Sequence, residues 1–254
     1  MNRFRPLSLA ALILTLAAAL PLAARPAAAT RERGFGLELL VDGTPRPELH
    51  GRGSIYVEAL PGREYVLRLT NPLPRRVAVA LAVDGLNTLD ARHGDARSAR
   101  KWVLPPYGTV EIAGWQVSGA AARRFYFTSE PDSYGARLGE TANLGVIEAV
   151  FFAEREPEPP VAVLDGAPAR RQSARAPAAG ALSEAHAATG IGRETEHRVR
   201  QVWLDLETEP AAVVRLRYEY RPQLVELGLL PRFPRPLDRR ERARGFDDWC
   251  PVPR

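Results

Sequence analysis

The chain contains one cysteine, Cys250, among its 254 residues. A single cysteine excludes an internal disulfide, so the core alone must hold the fold together unless Cys250 pairs between chains. Lysine is equally scarce, with Lys101 the only one, and nearly all positive charge is therefore arginine.

Beyond residue 29 the chain also lacks any apolar run near the ~20 residues that a membrane-spanning helix needs. Before it, an uncharged apolar run extends from Leu7 to Leu22, preceded by Arg3 and Arg5 and followed by small residues that end at Ala29. This order is typical of a secretory signal peptide. We expect residues 1–29 to be removed and the protein to be periplasmic or secreted; an uncleaved N-terminal anchor is the alternative.

A strong charge of one sign is missing as well. Removal of residues 1–29 would leave 32 basic and 30 acidic residues, a net charge of +2. Basic and acidic side chains are interspersed along the sequence, which is not the pattern of a nucleic-acid-binding surface. We therefore expect no nucleic-acid partner, and the oligomeric state stays open.

Helical periodicity is absent between residues 35 and 155, where short runs alternate apolar and polar residues between Gly, Pro, Asn and Asp turns. The pattern predicts an all-β domain over 35–155, an antiparallel β-sandwich of about seven strands. In the strand predicted at 76–83, Ala78, Ala80 and Ala82 share one face and indicate close cover by another element. The other predicted strands are 37–41, a hairpin over 54–70, 109–112, 124–128 and 143–153.

The composition changes at Glu156. Residues 156–189 are rich in proline and alanine, which predicts a disordered linker. Alternation over 197–206 and 211–220 predicts a second β-hairpin, after which Pro222 starts a short helix. Because a lone hairpin is barely stable, we expect 190–230 to dock on the sandwich or on a partner chain. Residues 231–254 are predicted to be a disordered tail.

Several strings mark a likeness to known sequences. They are VALAVDGLNTLD (79–90), LPPYGTVEIAGW (104–115), EPDSYGARLG (130–139), NLGVIEAVFF (143–152), TGIGRETEHRV (189–199) and PQLVELGLL (222–230). Together they resemble a family of uncharacterised bacterial exported proteins. The resemblance implies export and an all-β body, and it carries no activity. In those relatives a histidine stands where this chain has Ile191.

Recognised catalytic patterns are missing. The four histidines lack zinc-site spacing, and no serine lies in a nucleophile elbow. Gly190-Ile191-Gly192 lacks the remaining features of a phosphate-binding loop and is interpreted as a hinge. We predict no catalytic residue and no cofactor, although a glycosidase pair of carboxyl groups is defined by separation in space and stays open.

Two sets of loop residues are candidates for binding. Asp84, Asn87 and Asp90 could offer oxygen ligands to Ca²⁺, but the same residues are common turn formers, and that interpretation is favoured. The second set consists of aromatic residues, Trp102, Tyr107 and Tyr134. Exposed aromatic rings at the edge of a sandwich can bind a partner, whereas buried ones would cap the core.

These observations favour a non-catalytic envelope or secreted module that binds a protein or a glycan. This function predicts aromatic residues exposed together at one end of the sandwich. One alternative is a hydrolase acting on polysaccharide, which predicts two carboxyl groups facing each other across a groove. Another is a structural subunit that self-assembles when the predicted hairpin adds to a neighbour's sheet edge.

Overall fold

Alternating apolar and polar residues build two β-sheets that pack face to face. The structure, a computed structural model, describes residues 30–156 and 182–232. The predicted signal peptide, most of the predicted linker and nearly all of the predicted tail lie outside the described residues. The strands are β1 (Thr30–Glu32), β2 (Phe35–Val41), β3 (Thr44–Pro45), β4 (Glu48–Gly51), β5 (Ser54–Ala59), β6 (Glu64–Thr70), β7 (Val77–Val83), β8 (Leu86–Asn87), β9 (Trp102–Leu104), β10 (Thr109–Ile112), β11 (Gly114–Gln116), β12 (Ala121–Ser129), β13 (Val146–Ala153), β14 (Ala187–Glu196) and β15 (Ala212–Tyr220).

The first sheet has the strand order β1-β2-β6-β12-β11, with β3 beside β2, β10 beside β6 and β14 beside β12. The second has the order β4-β5-β15-β13-β7-β8, with β9 beside β7. Neighbouring strands are antiparallel except β5 and β15, which are parallel. The predicted all-β sandwich is thus confirmed, although its strands are more numerous than expected.

Strand directions define two ends of the sandwich. β6 and β14 finish, and β7, β12 and β15 begin, at one end, which we call the loop end. Two short helices, α1 (Tyr134–Leu138) after β12 and α2 (Arg221–Glu226) after β15, lie at the opposite end, which we call the helix end. Helix α2 matches the one predicted from Pro222, and its Leu224 is fully buried. None of the helices in the described residues is long and apolar enough to cross a membrane.

The core lies between the two sheets and uses alternate residues of each strand. Its largest buried side chains come from both sheets and include Tyr65, Phe125, Phe127, Phe151, Leu67, Leu69, Leu81 and Tyr218. The outer face of β7 is covered too, since Ala80 packs with Val150 and Phe152 beneath Ala96 and Ala99. The small residues of this strand therefore allow close cover, as their pattern predicts.

Both predicted hairpins are wrong. β5 lies in the second sheet and β6 in the first, and β14 pairs with β12 while β15 pairs with β13 and β5. Alternation reveals which side chains face the core, but a short connection can either join neighbours in one sheet or cross between sheets. The C-terminal strands therefore complete the sandwich itself, and residues 187–189, which were assigned to the linker, are buried in β14.

Glycines at 190 and 192 belong to β14 and do not form the hinge predicted for them. The ring of Tyr126 on the neighbouring strand lies over both, so that a Cβ added at Gly190 would be 2.3 Å from the ring. An aromatic ring covering a glycine on an adjacent strand pins the register of the pair.

Gly190→Ala is therefore expected to destabilise the protein by about 2 kcal/mol, because the new methyl group forces Tyr126 out of its place. Urea unfolding measures the loss. Combining Gly190→Ala with Tyr126→Ala should cost less than the two separate losses added together, since the clash disappears. Strictly additive losses would contradict this packing.

Candidate functional site

Asp84 and Gly85 form the two-residue turn between β7 and β8 at the helix end of the sandwich. Both have positive φ angles, 53° and 78°, which is the backbone of a type I′ hairpin turn and explains the Asp-Gly pair. The turn leaves the Asp84 side chain pointing between the sheets, where the residue is only 2% exposed. Its carboxylate therefore needs partners within the protein.

Three donors surround the Asp84 carboxylate. Oδ1 accepts hydrogen bonds from the backbone N–H of Gly145 at 2.9 Å and from the Tyr218 hydroxyl at 2.5 Å. Oδ2 accepts from the backbone N–H of Thr189 at 2.7 Å. The Thr189 hydroxyl in turn lies 2.7 Å from the hydroxyls of both Tyr218 and Tyr65. We call Asp84, Tyr218, Thr189 and Tyr65 the buried hydroxyl chain.

The buried hydroxyl chain joins the two sheets through the core. Tyr65 and Thr189 belong to the first sheet, whereas Tyr218 and the Asp84 turn belong to the second. All four residues are buried. Because polar groups in such a place are costly unless satisfied, the chain specifies how the sheets face each other.

The charge state of Asp84 sets the direction of the hydrogen bonds. When Asp84 is ionised, it accepts a hydrogen bond from the Tyr218 hydroxyl. That hydroxyl can accept from Thr189, and the Thr189 hydroxyl can accept from Tyr65, so every hydroxyl hydrogen is used. If Asp84 were protonated on Oδ1, it would donate to Tyr218, and the other two hydrogen bonds would reverse as well. The hydroxyl hydrogen of Tyr65 would then have no acceptor in the chain. Burial nevertheless raises the pKa of Asp84 to about 7, against the hydrogen bonds that lower it. Burial and the Asp84 charge also raise the pKa of Tyr65 and Tyr218.

Most of the buried hydroxyl chain was not predicted from the sequence. A signal was present, because Tyr65 and Tyr218 each fall on the apolar face of a predicted strand. A buried tyrosine hydroxyl needs a hydrogen-bond partner. What the sequence could not show is that Thr189, assigned to the linker, would supply it.

The residues of the calcium alternative have other partners in this geometry. The Asp84 carboxylate accepts its three hydrogen bonds inside the core. Asn87 accepts from the Leu89 N–H and donates to the Arg100 carbonyl. Asp90 accepts from the Arg92 N–H at 3.3 Å. The three side chains do not converge as ligands, and Asn87 and Asp90 serve as turn formers. No cluster of three or more His, Cys, Asp or Glu side chains suited to a metal occurs in residues 30–156 and 182–232.

The three predicted aromatic residues do not form a common surface. Trp102 is 8% exposed, and its indole N–H donates to the Thr88 hydroxyl at 2.9 Å, so it belongs to the core. Tyr134 lies at the helix end, with its ring 5.0 Å from that of Trp115. Tyr107 alone is largely exposed, at the loop end.

Most of the exposed large apolar side chains instead lie in connections at the loop end. The described residues expose six large hydrophobic side chains, and four of them, Tyr107, Val117, Val202 and Trp203, lie in connections at this end. Trp203 is 92% exposed, and the connection between β14 and β15 carries it together with Val202. We call these four residues the apolar loop surface.

The predicted strand at 197–206 is a connection that crosses the loop end. Its first part follows the β11–β12 turn, where the Val199 N–H donates to the Gly119 carbonyl. It then reaches the end of β13, where Leu206 forms a bridge with Glu154. Trp203 lies between these two attachments, which hold the connection on both sides.

A cleft of about 270 Å³ lies at the helix end, and α2 forms one of its walls. Within it, His186 pairs with Glu219 at 3.2 Å, and Arg217 lies on the same strand as Glu219. Asp84 and Glu48 are carboxyl groups whose pKa is raised by burial, but neither lines this cleft. Two other carboxyl groups, those of Glu219 and Glu226, do line it, so the hydrolase acting on polysaccharide stays a prediction.

Comparisons with known proteins offer no relative from which a role could be transferred: no family model, curated protein or solved structure matches the chain.

Proposed function

We propose that the chain is an exported, non-catalytic β-sandwich module that binds a partner protein through the apolar loop surface. The observation that carries the proposal is Trp203, a tryptophan 92% exposed on a connection held at both sides. A large apolar side chain left in water on a held segment is typical of a protein-binding surface. The signal peptide predicted at 1–29 supplies the export part of the proposal.

The composition of the surface favours a protein over a glycan. Val117 and Val202 are aliphatic and offer a sugar no hydrogen bonds, whereas Trp and Tyr are the side chains enriched in protein-binding hot spots. Ion pairs adjoin the surface, with Arg76 bound to Glu154 and Arg155 lying 3.7 Å from Asp205. An apolar centre with a charged rim is the usual anatomy of a protein interface.

Site-specific crosslinking tests the proposal. A photoreactive amino acid replaces Trp203 or, as a control at the helix end, Leu138, which is 47% exposed. Crosslinking in the cells that make the protein should give one discrete product from position 203 that is absent from position 138. The crosslinked protein is identified, purified and shown to bind residues 30–254 directly.

Two outcomes would contradict the proposal. Equal crosslinking from both positions would mean that the loop end is not the binding surface. Sedimentation with purified cell-wall polysaccharide that depends on Trp203, together with no protein crosslink, would assign the surface to a glycan.

A further inference from the structure

The first described strand connects the edges of the two sheets. Thr30 begins β1 at the edge of the first sheet, and Glu48 begins β4 at the edge of the second. The Thr30 hydroxyl donates to Glu48 Oε1 at 2.6 Å, and the Thr30 backbone N–H donates to the same carboxylate. Thr30 is 6% exposed. The contact therefore links the edges of the two sheets through a buried carboxylate.

Glu48 lacks a strong positive partner. Its side chain is 6% exposed, and its ion-pair partner among the described residues is His50, at 3.8 Å and with a side chain 65% exposed. Burial raises the pKa of Glu48, although the hydrogen bonds from Thr30 oppose the shift. A buried carboxylate with so little compensation is costly, and a cation at the Thr30 nitrogen would offset that cost.

Removal of the predicted signal peptide would also turn the Thr30 nitrogen into a positively charged amino group. Small residues 27–29 precede it, and the signal peptide is predicted to end at Ala29. A signal peptidase adds water across the Ala29–Thr30 peptide bond. The C–N bond breaks, a carboxylate is left on Ala29, and the Thr30 nitrogen becomes an ammonium group.

We propose that cleavage between Ala29 and Thr30 completes a buried ion pair between the new α-ammonium group of Thr30 and Glu48, which fastens the two sheet edges in the processed protein only. The inference rests on the export part of the proposed function, not on partner binding. Cleavage one residue earlier or later would move the ammonium group by about 3.4 Å along the strand, away from the carboxylate. The proposed ion pair thus requires processing at this one position.

The test compares the chain that begins at Thr30, released from a fusion that leaves no added residue, with a chain that begins at Ala28. At pH 6.5 the first should have a folding equilibrium constant about 10-fold larger, measured by urea unfolding. The advantage should vanish in Glu48→Gln, which keeps an acceptor but loses the charge. Glu111→Gln, which neutralises an exposed carboxylate of the first sheet paired with Arg68, should retain it.

A second readout is pH. The ammonium group gains stability from its partner, so its pKa is raised on folding above the usual ~7.7. The advantage is then complete below about pH 7 and lost by about pH 10. Equal stability of the two chains at pH 6.5 would overturn the ion pair. Mass analysis of protein recovered from the producing cells checks the processing step, and a start other than Thr30 would overturn that step even where the crosslinking result holds.

Discussion

Asp84→Ala is expected to lower the free energy of unfolding at pH 7 by about 3 kcal/mol. The substitution removes the acceptor of three buried donors, the N–H groups of Gly145 and Thr189 and the hydroxyl of Tyr218. Each unsatisfied donor costs about 1–3 kcal/mol. The variant no longer has to bury a carboxyl group, and this gain offsets part of the sum. The melting temperature should fall by about 9 °C, at about 3 °C per kcal/mol.

Asp95→Ala is the matched control, since it removes an exposed carboxylate that follows the same turn. It should change the free energy of unfolding by less than about 0.5 kcal/mol. Equal effects of the two substitutions would show that the buried hydroxyl chain does not hold the sheets together.

The same carboxyl group should give the protein an unusual dependence on pH. The folded-state pKa of Asp84, about 7, is above the unfolded value of about 3.9. The part of the stability that depends on protonation of Asp84 is therefore complete below about pH 4 and lost as the pH rises to about 7, with a steepest slope of about 1.4 kcal/mol per unit, while its hydrogen bonds as an acceptor remain. Asp84→Asn should remove this slope. Parallel pH profiles of the two proteins would contradict the raised pKa.

Trp203→Ala should weaken binding of the crosslinked partner by about 30-fold, the equivalent of about 2 kcal/mol for a hot-spot residue. The free energy of unfolding should stay within about 0.5 kcal/mol of the wild-type value, because the side chain is almost fully exposed. Binding is measured by titration with the purified partner and stability by urea unfolding.

Two controls separate binding from folding. Leu138→Ala removes an exposed apolar side chain at the helix end and should leave both quantities unchanged. Trp102→Ala removes a buried tryptophan and should cost about 3–5 kcal/mol of stability. Unchanged partner affinity in Trp203→Ala would remove the apolar loop surface from the binding site.

Local properties of the fold were predictable from alternation and turn chemistry. The inward faces of β6, β7 and β15 follow from their apolar periodicity, and the Asp84 turn follows from the Asp-Gly pair. Strand pairing was not predictable, because the connection between β5 and β6 has the length of a hairpin loop but crosses between sheets. Pairing depends on contacts between residues far apart in sequence, which local patterns do not report.

The residues of the proposed binding surface were only partly identified from the sequence. Tyr107 was identified, while Trp203 was overlooked in a run interpreted as a strand. In that run Val202 and Leu204 were assigned to the core face, which puts Trp203 on the polar face. A tryptophan on a polar face is the signal that could have identified it.

The position of β15 affects when the protein can fold. It lies between β5 and β13, so the second sheet is divided into two unconnected parts until residues 212–220 are present. A chain emerging from the ribosome cannot close its core before almost all of it has been made, because contacts this distant in sequence form late. Such a delay would leave the polypeptide unfolded through most of its synthesis, which is the state that the proposed export requires.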